Sequence, residues 1–444
     1  MADALEFKSA DFKISLNGKA HSTHEINTKN LILRRGQEFA IGLQLSRGLQ
    51  DDVDRLTFIM ETGPGVKAKA SLSTQKPTNN WGATVKSSNG SSLEVSLFTP
   101  GNAIIGWYSL SLEITSKNRN SSHKLGDFIL LFNPWCPADD VFLNNQAERS
   151  EYVLNENGIL FTGHSKYITA RSWIFGQFEE GILEICLQLL DKSLNYRNNP
   201  SADISNRKNP VYVSRVVSAM VNANDDNGVV EGNWSGEYKD GKNPTDWNSS
   251  VAILRQWASS GFQGVKYGQC WVFASVLCTV MRCLGIPTRV VTNFESAHDT
   301  DGNLDVDIFY DKDGKELEKE THDSIWNFHV WDECWMVRKD LRSGFDGWQV
   351  VDSTPQESSG GIFCCGPSSV RAIKGGKVDF KYDGRFVYAE VNANVISWVI
   401  DSNTSKKERA DSNSRIVGQK ISTKSVGSAT REDITSNYKA PEGT

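Results

Sequence analysis

The chain has 444 residues, with 48 Lys and Arg against 54 Asp and Glu, a formal net charge of -6 and a pI of about 5.8. Domains usually comprise ~100–200 residues, so at least two folded units are expected. The acidic balance and the lack of a long basic run argue against nucleic acid as a partner. The apolar stretches are shorter than the ~20 residues of a membrane span, and the N-terminal segment has no apolar signal core. We therefore expect a cytoplasmic protein without integral membrane association.

Cysteine usage agrees with a reducing compartment. Eight cysteines in 444 residues are too sparse for a disulfide scaffold, and their spacing contains no paired C-x-x-C zinc arrangement. We expect most of them to be free thiols.

Residues 31–134 alternate apolar runs with polar turns. Five segments have strand patterns and no segment of helical period interrupts them: LILRRGQEFAIGLQL, DRLTFIMETG, SSLEVSLFTP, GWYSLSLEIT and DFILLFN. Short strands at this spacing indicate an immunoglobulin-like antiparallel β-sandwich. The prolines and acidic turn of NPWCPADD predict a boundary near residue 135, which gives domains at 1–135 and 136–444.

The second region mixes helices with strands. Apolar spacing predicts helices over 178–194, from about residue 211, over SVAILRQWASSG with Asn248 or Ser249 as N-cap, and over 270–285. Strands are predicted in TRVVTNF, IWNFHVWDECWMV, GWQVVDST, FVYAEVNANVISWVI and IVGQKISTKSV. Helices followed by a sheet indicate an α+β domain.

Cys270 opens the last of these helices, where unpaired backbone N–H groups and the helix dipole favour a thiolate. A buried core thiol is the common alternative for a free cysteine, and it is the interpretation we prefer for Cys278 and Cys283. A nucleophilic cysteine also needs a base, and the base needs an orienting group.

His329 lies within a predicted strand and Asp352 ends the next one, on the same face as Trp348 and Val350. Adjacent antiparallel strands bring such residues within side-chain reach. Taken singly, a strand His is more often structural and an Asp after a strand is usually a turn residue. Together with Cys270 they form the nucleophile, base and orienting group of a papain-like cysteine enzyme.

Four motifs in this order resemble the core of the animal calcium-dependent transglutaminases, most closely the tissue type: YGQCWVFASVLCTVMRCLGIPTRVVTNFESAHD, IWNFHVWDECWMVR, GWQVVDSTPQE and FVYAEVNANV. The resemblance covers essentially the whole chain and implies a triad of Cys270, His329 and Asp352. It also implies that the Trp234 indole N–H stabilises the oxyanion of the acyl intermediates and that Trp326 lines the tunnel by which the amine enters. A donor-only N–H suits the first role, and water-shedding walls suit the second.

The resemblance implies the activity of a protein-glutamine gamma-glutamyltransferase. A protein-bound glutamine forms a Cys thioester with release of ammonia, and a lysine or polyamine then gives an isopeptide bond, while water gives deamidation. The implied partners are glutamine- and lysine-containing proteins, polyamines and, through the sandwich, extracellular matrix proteins. Export without a signal peptide is the alternative to a cytoplasmic location.

The loop DTDGNLDVD, residues 299–307, places oxygen ligands at every second position, which suits a hard cation such as calcium. It is not an EF-hand, because Gly302 stands at the fourth loop position and Tyr310 replaces the bidentate Glu. A solvated acidic turn is the alternative. The resemblance maps one calcium site onto Asp299, Asp301, Asn303, Asp305 and Asp323.

Two further calcium sites follow from the resemblance. One comprises the Ala219 carbonyl, Asn222, Asn224 and Asp226, and the other comprises Asn392, Asn394, Ser414 and Glu442. The family commonly has Asp in place of Asn394, and a neutral amide binds calcium less strongly than a carboxylate. We therefore expect the last site to be weakened or incomplete.

The resemblance also bears on regulation. Lys166 and Tyr167 match the core side of the nucleotide site of the tissue type. We expect a chain without the two carboxyl-terminal β-barrels that complete that site, which makes inhibition by GTP doubtful. We also expect calcium to be needed less for opening the active site and more for ordering it. Cys364 and Cys365 resemble a vicinal redox pair, although the relay cysteine of some relatives is Ala223 here. Ordinary strand-end cysteines are the alternative.

The sequence is also compatible with two other functions. Family members without the cysteine serve as membrane-skeleton proteins, so a non-catalytic scaffold or matrix-binding protein is one, and the triad together with Trp234 argues against it. A papain-like protease shares the triad, but proteolysis gives no reason for the two Trp or for the calcium loops.

Overall fold

The computed structural model describes residues 3–440. Its helices are α1 (Ile14–Ala20), α2 (Gln146–Arg149), α3 (Ile182–Asp191), α4 (Leu194–Asn198), α5 (Pro200–Asn206), α6 (Pro210–Val221), α7 (Ser250–Ser259), α8 (Cys270–Leu284), α9 (Val370–Lys374), α10 (Gly384–Asn392) and α11 (Thr435–Tyr438), with a π-helical turn at Ser150–Leu154 and a 3₁₀ turn at Pro244–Asp246.

Eleven strands of the described chain lie before α6. These strands are β1 (Phe7–Asp11), β2 (Leu31–Arg34), β3 (Phe39–Leu45), β4 (Asp54–Thr62), β5 (Val66–Ser73), β6 (Gly82–Asn89), β7 (Ser92–Phe98), β8 (Gly106–Ser116), β9 (Arg119–Leu131), β10 (Asn157–His164) and β11 (Tyr167–Ile174).

The other strands follow α6. They are β12 (Val230–Gly232), β13 (Val265–Gly268), β14 (Thr288–His298), β15 (Asp305–Tyr310), β16 (Ser324–Met336), β17 (Gly347–Asp352), β18 (Ser358–Ser359), β19 (Ile362–Phe363), β20 (Cys365–Ser369), β21 (Asn394–Ile400), β22 (Lys407–Asn413), β23 (Gln419–Lys424) and β24 (Arg431–Asp433).

One compact unit comprises residues 3–144, Phe178–Val213 and Leu284–Ile286. Its nine strands are joined in the order β1-β3-β7-β6-β5-β4-β8-β9-β2, antiparallel except at β2–β9 and β5–β6. Burial alternates along β8, where Leu110 and Leu112 lie in the core. Such alternation marks half-buried strands, and the β-sandwich predicted for the N-terminal region is confirmed.

The other compact unit comprises residues 145–177, Ser214–Cys283 and 287–440. Its main sheet has the order β20-β17-β16-β14-β23-β24. Helix α8 lies against β14, since Cys278 Sγ is 3.9 Å from Thr288 O and Arg282 Nε donates to the same oxygen at 2.9 Å. All residues of α8 are buried, as its apolar sequence on every side requires. This unit is the predicted α+β domain.

Most predicted elements are present. Ser249 is the N-cap of α7, its side chain accepting from Val251 N, which decides between the two candidates. The two units alternate along the chain, each being made of several segments. The division into domains at residue 135 stays a prediction. Within residues 3–440 no helix combines the length and apolar character that crossing a bilayer requires.

One element is predicted wrongly. Aromatic and β-branched residues in FVYAEVNANVISWVI favour a strand, but its first half belongs to α10 and only its second half to β21. Val387, Glu390 and Val391 are buried at helical spacing, so the face that packs inward is that of a helix. Burial of one helical face therefore overrides the β-propensity of single residues.

Candidate active site

Cys270 is the first residue of α8 and is 3 % exposed. The preceding residue, Gln269, is fixed by its side-chain amide, which donates to Asn233 O at 3.0 Å and to Tyr238 Oη at 3.1 Å. The Gln269 carbonyl accepts from Val272 N and starts the helix. The thiol therefore lies where helix N–H groups and the helix dipole favour a thiolate.

His329 and Asp352 lie on the neighbouring antiparallel strands β16 and β17, and their side chains meet. His329 Nε2 is 2.6 Å from Asp352 Oδ2, and the two side chains are 1 % and 2 % exposed. Asp352 Oδ1 accepts from Thr354 N at 2.9 Å, and Ser218 Oγ donates to Asp352 O at 2.6 Å. The carboxylate is thus held through both its side chain and its backbone.

The other ring nitrogen of His329, Nδ1, is buried and has no nitrogen or oxygen partner among residues 3–440, which leaves it to the Cys270 thiol. Burial by itself lowers the pKa of His329. The charge and hydrogen bond of Asp352, the interaction with Cys270 and the charge of Glu390 outweigh this effect and raise the pKa well above its ordinary value. A protonated imidazole beside Cys270 stabilises the thiolate, which is the nucleophilic form.

Two further side chains surround this pair. Glu390, on α10, is 1 % exposed and places Oε1 3.6 Å from His329 Nε2. The Gln356 amide nitrogen is 2.9 Å from His329 Nε2 and donates to Glu390 Oε1 at 3.0 Å and to Asp352 Oδ2 at 3.3 Å. Burial raises the pKa of Glu390 to about 8; His329 and the Gln356 hydrogen bond oppose the rise, and the charge of Asp352 adds to it.

Sequence reasoning misses both residues. Gln356 follows Asp352 by four positions in GWQVVDSTPQ, and Glu390 lies in FVYAEVNANV. A strand prediction over the second motif gives Glu390 no partner. Helical spacing with Val387 and Val391 is the signal that would have placed Glu390 on an inward face.

Trp234 and Trp326 form an aromatic wall beside the imidazole. Their ring centroids are 6.4 Å apart, and Trp326 lies 5.2 Å from the ring of His329. Trp234 stacks on Phe273 of α8 at 6.3 Å and is 46 % exposed. The indole N–H of Trp326 donates to Ser324 Oγ at 3.3 Å. The wall therefore runs from solvent to the His329 ring.

The turn that carries Trp234 is fixed by its neighbours. Asn233 Nδ2 donates to Glu237 O at 3.0 Å, and Asn233 Oδ1 accepts from Ser235 N at 2.9 Å. A Cβ on Gly232 would lie 2.6 Å from Trp234 Cζ3. Only glycine at this position lets the indole approach so closely.

The predicted calcium loop brings Asp299, Asp301 and Asp323 together. Asp299 accepts from the backbone N–H of Gly302 and of Leu304, both at 2.8 Å. Burial and the neighbouring carboxyls Asp299 and Asp323 raise the pKa of Asp301. A cation would relieve this repulsion, and an all-oxygen donor set suits a hard ion. These residues therefore fit calcium.

The remaining predicted ligands, Asn303 and Asp305, belong to the same loop. Asn303 Oδ1 accepts from Asp305 N at 2.8 Å, and Asp305 Oδ1 accepts from Asn394 Nδ2 at 3.0 Å. The last contact arises because the parallel strands β15 and β21 pair Asp305 with Asn394. The structure thus places Asn394, which the resemblance assigns to another site, beside this loop.

The predicted site after α6 is a turn in which Asn222 is buried and Asn224 is exposed. Asn222 Oδ1 accepts from Asn224 N at 3.1 Å, and Asn222 Nδ2 donates to Phe363 O at 2.8 Å. Asp226 is buried in the same turn, and Ala219 lies near the end of α6. Calcium binding by these residues stays a prediction.

The residues predicted for the third calcium site begin at the end of α10 and are spread along the segments that follow it. Asn392 ends α10 and donates to Tyr438 O at 3.4 Å. Ser414 is exposed, and Glu442 lies outside the described residues. This site also stays a prediction.

The nucleotide and redox predictions fall elsewhere in this unit. Lys166 and Tyr167 are exposed at the turn of the β10–β11 hairpin. Cys364 and Cys365 are both free and buried. Burial raises the pKa of Cys364 to about 11 and that of Cys365 well above its ordinary value, so both are thiols at neutral pH.

The sequence matches two family models, described as the Transglutaminase family over residues 8–115 and the Transglutaminase-like superfamily over residues 235–353. The second match contains Cys270, His329 and Asp352. The chain belongs to the transglutaminase family. It is 51 % identical over 446 residues to protein-glutamine gamma-glutamyltransferase Z of Homo sapiens, covering 99 % of this chain and 63 % of the relative.

Other transglutaminases also match nearly the whole chain. Protein-glutamine gamma-glutamyltransferase 2 of Mus musculus is 52 % identical over 450 residues, which cover 100 % of this chain and 65 % of the relative. The crystal structure of red sea bream transglutaminase superposes with a TM-score of 0.91 at 44 % identity, covering 99 % of this chain and 66 % of that one. This transglutaminase chain thus spans less than two thirds of the length of the relatives it matches.

Proposed function

We propose that this chain is a calcium-dependent protein-glutamine gamma-glutamyltransferase with Cys270 as its nucleophile. The observation that carries the proposal is the buried 2.6 Å contact between His329 and Asp352, with the free ring nitrogen left to Cys270 at the start of α8. This is the arrangement of nucleophile, base and orienting group that acyl transfer requires.

The first half-reaction forms a thioester. The Cys270 thiolate attacks the γ-carboxamide carbon of a protein-bound glutamine and forms a C–S bond. His329 gives its proton to the departing nitrogen, the C–N bond breaks, and ammonia leaves. Asp352 stays ionised and holds the ring in orientation throughout.

The second half-reaction transfers the acyl group. A lysine or polyamine amine attacks the thioester carbon, His329 takes a proton from the attacking nitrogen, and the C–S bond breaks to restore the Cys270 thiolate. The product is an isopeptide or a substituted amide. Water in place of the amine gives glutamate, and the apolar rings of Trp234 and Trp326 beside His329 oppose this side reaction by excluding water.

Both half-reactions pass through an oxyanion, which needs donors aimed at it. The backbone N–H of Cys270 and the indole N–H of Trp234 are the proposed donors. In contrast, the indole N–H of Trp326 is already donated to Ser324. This difference assigns distinct roles to the two rings.

We propose that calcium binds the loop of Asp299, Asp301 and Asp323. Its positive charge would relieve the repulsion between these neighbouring carboxyls. Asp323 accepts from the backbone N–H of Thr300 at 2.9 Å and of Asp307 at 3.0 Å, so it already ties both ends of the loop together. The loop carboxyls would hold the ion, and the bound ion would order the loop.

The proposal is tested by incorporation of a fluorescent primary amine into a glutamine-containing protein. Four reactions are compared: the chain with millimolar calcium, with chelator, with calcium and no acceptor amine, and the Cys270→Ala variant with calcium. We expect incorporation only with calcium and the intact thiol, and deamidation when the amine is omitted. Incorporation by Cys270→Ala, or none by the unaltered chain, would overturn the proposal, and cleavage of the carrier would indicate a protease.

A further inference from the structure

His329, Asp352 and Glu390 form a cluster with the composition of a metal site. Their ligand atoms all lie within 4.8 Å of one another, and all three residues are buried. One imidazole and two carboxylates would suit a transition metal. The arrangement has another explanation, however, because a fourth side chain lies among the three.

The centre of this cluster is taken by the amide nitrogen of Gln356. It lies 2.9 Å from His329 Nε2, 3.3 Å from Asp352 Oδ2 and 3.0 Å from Glu390 Oε1, nearly equidistant from the three atoms. An amide NH₂ group has two N–H donors, which is enough for one bond to each carboxyl group. Gln356 therefore donates hydrogen bonds to both carboxyl groups from the position that a bound cation would occupy.

Gln356 also joins two parts of the fold. It lies in the segment after β17, four residues beyond Asp352, whereas Glu390 projects from α10. The other oxygen of Glu390, Oε2, is buried and has no partner among residues 3–440. The amide of Gln356 is consequently the hydrogen-bond donor that holds this carboxyl group in place. An unheld carboxyl 3.6 Å from the imidazole would be free to compete with Asp352 for Nε2–H.

We propose that Gln356 is a positioning residue for the catalytic imidazole. Its amide holds the Glu390 carboxyl away from the Nε2–H of His329, keeps that N–H donated to the Asp352 carboxylate, and so keeps Nδ1 aimed at Cys270. Its effect on turnover rests on the proposed acyl transfer, but its effect on the reactivity of the thiol does not.

The test compares Gln356→Met, which keeps the length of the side chain and removes both donors, with Gln356→Asn, which keeps the amide but withdraws it by one methylene. Gln263→Met, at an exposed turn, is the matched control. Each variant is first checked for folding by its circular dichroism spectrum and thermal midpoint. The rate of Cys270 alkylation by iodoacetamide is then measured against pH, and kcat and KM are measured in the amine incorporation assay.

Misplacement of a reacting group by about 1 Å can cost ~10²-fold in rate, so we expect both Gln356 variants to lower kcat about tenfold or more with little change in KM for the glutamine substrate. The alkylation midpoint should move to higher pH, because the imidazolium is less well aimed at the thiolate. Gln263→Met should match the unaltered chain in both assays.

The experiments distinguish failure of the proposed acyl transfer from failure of the positioning role of Gln356. If the unaltered chain transfers no amine but the alkylation midpoint shifts in the Gln356 variants, the proposed function falls and the positioning role stands. An unshifted midpoint and an unchanged kcat in folded variants would overturn the positioning role. A rise in KM alone would overturn it too, because it would make Gln356 a substrate-binding residue.

Discussion

His329 Nε2 and Asp352 Oδ2 lie 2.6 Å apart in a pair whose side chains are 1 % and 2 % exposed. The first prediction replaces the carboxylate by its amide. Asp352→Asn keeps the shape but removes the charge that raises the pKa of His329, so less imidazolium stabilises the Cys270 thiolate. We expect kcat for amine incorporation to fall roughly 10²–10⁴-fold, with the alkylation midpoint of Cys270 moved to higher pH.

The control for this change is the thermal midpoint of the same variant. A folded Asp352→Asn chain with kcat within threefold of the unaltered one would mean that the carboxylate has no part in the reaction. The same result would also remove the support for the triad.

A second prediction separates the two tryptophans. Trp234→Phe keeps an aromatic ring and removes the N–H, so we expect kcat to fall about 10²–10³-fold with a small change in KM. Trp326→Phe removes an N–H that is already given to Ser324, so acylation should be nearly unchanged. Instead, the ratio of amine transfer to hydrolysis should fall, because the wall excludes water less well. Equal losses of kcat in the two variants would contradict these separate roles.

A third prediction concerns Asp332, a residue of β16 that faces the opposite side from His329. It is fully buried, and neither of its carboxyl oxygens has a hydrogen-bond partner among the described residues. Burial and the charge of Asp352 raise the pKa of Asp332 well above its ordinary value, against the opposing charge of Arg282. Asp332 is therefore a protonated acid in the folded chain over a wide range of pH.

The sign of its effect on stability follows from proton binding. The unfolded chain releases this proton near pH ~3.9 and the folded chain only at much higher pH, so the group makes folding less favourable as pH rises above about 4. We expect Asp332→Asn to raise the free energy of unfolding by about 1–3 kcal/mol at pH 7, with the gain shrinking toward pH 4. Urea unfolding from pH 4 to pH 8 measures it, with the exposed Asp313→Asn as control. A gain that does not depend on pH would contradict the account.

A fourth prediction concerns the calcium loop. Asp301→Asn removes one of the repelling carboxyls, so without calcium the variant should melt at or above the temperature of the unaltered chain. With calcium the order should reverse, because a ligand that binds only the folded state at 100 times its Kd adds about 2.7 kcal/mol, and the variant binds it more weakly. Thermal unfolding with calcium and with chelator checks both halves. An Asp301→Asn chain stabilised by calcium as much as the unaltered one would exclude this loop as the site.

The residues that the sequence could predict lie in regular local patterns. Cys270 opens a long apolar helix, and His329 and Asp352 sit at matching phases of two successive strands, so helix and strand periodicity alone suggest their meeting. The contact of Asp305 with Asn394 could not be predicted in this way. It depends on a parallel pairing of β15 with β21, whose partners are far apart in sequence.

Glu390 and Gln356 show a second limit. Single-residue preferences in FVYAEVNANV favour a strand, whereas the buried face of α10 decides the structure and directs Glu390 to the imidazole. Gln356 lies in an irregular segment after β17, where no periodicity indicates which way a side chain points. Asp332 stands in a correctly predicted strand, but its lack of a hydrogen-bond partner among the described residues depends on tertiary packing that the strand pattern does not specify.

The most direct test of the account is to find the acyl group on Cys270. The chain is mixed with a glutamine-containing peptide and calcium in the absence of amine, quenched in acid, and examined by intact-protein and peptide-mapping mass spectrometry. We predict an adduct equal to the peptide mass less ammonia, confined to Cys270, released by hydroxylamine and absent from Cys270→Ser. Amine incorporation without such an adduct, or an adduct carried by another residue, would contradict the mechanism.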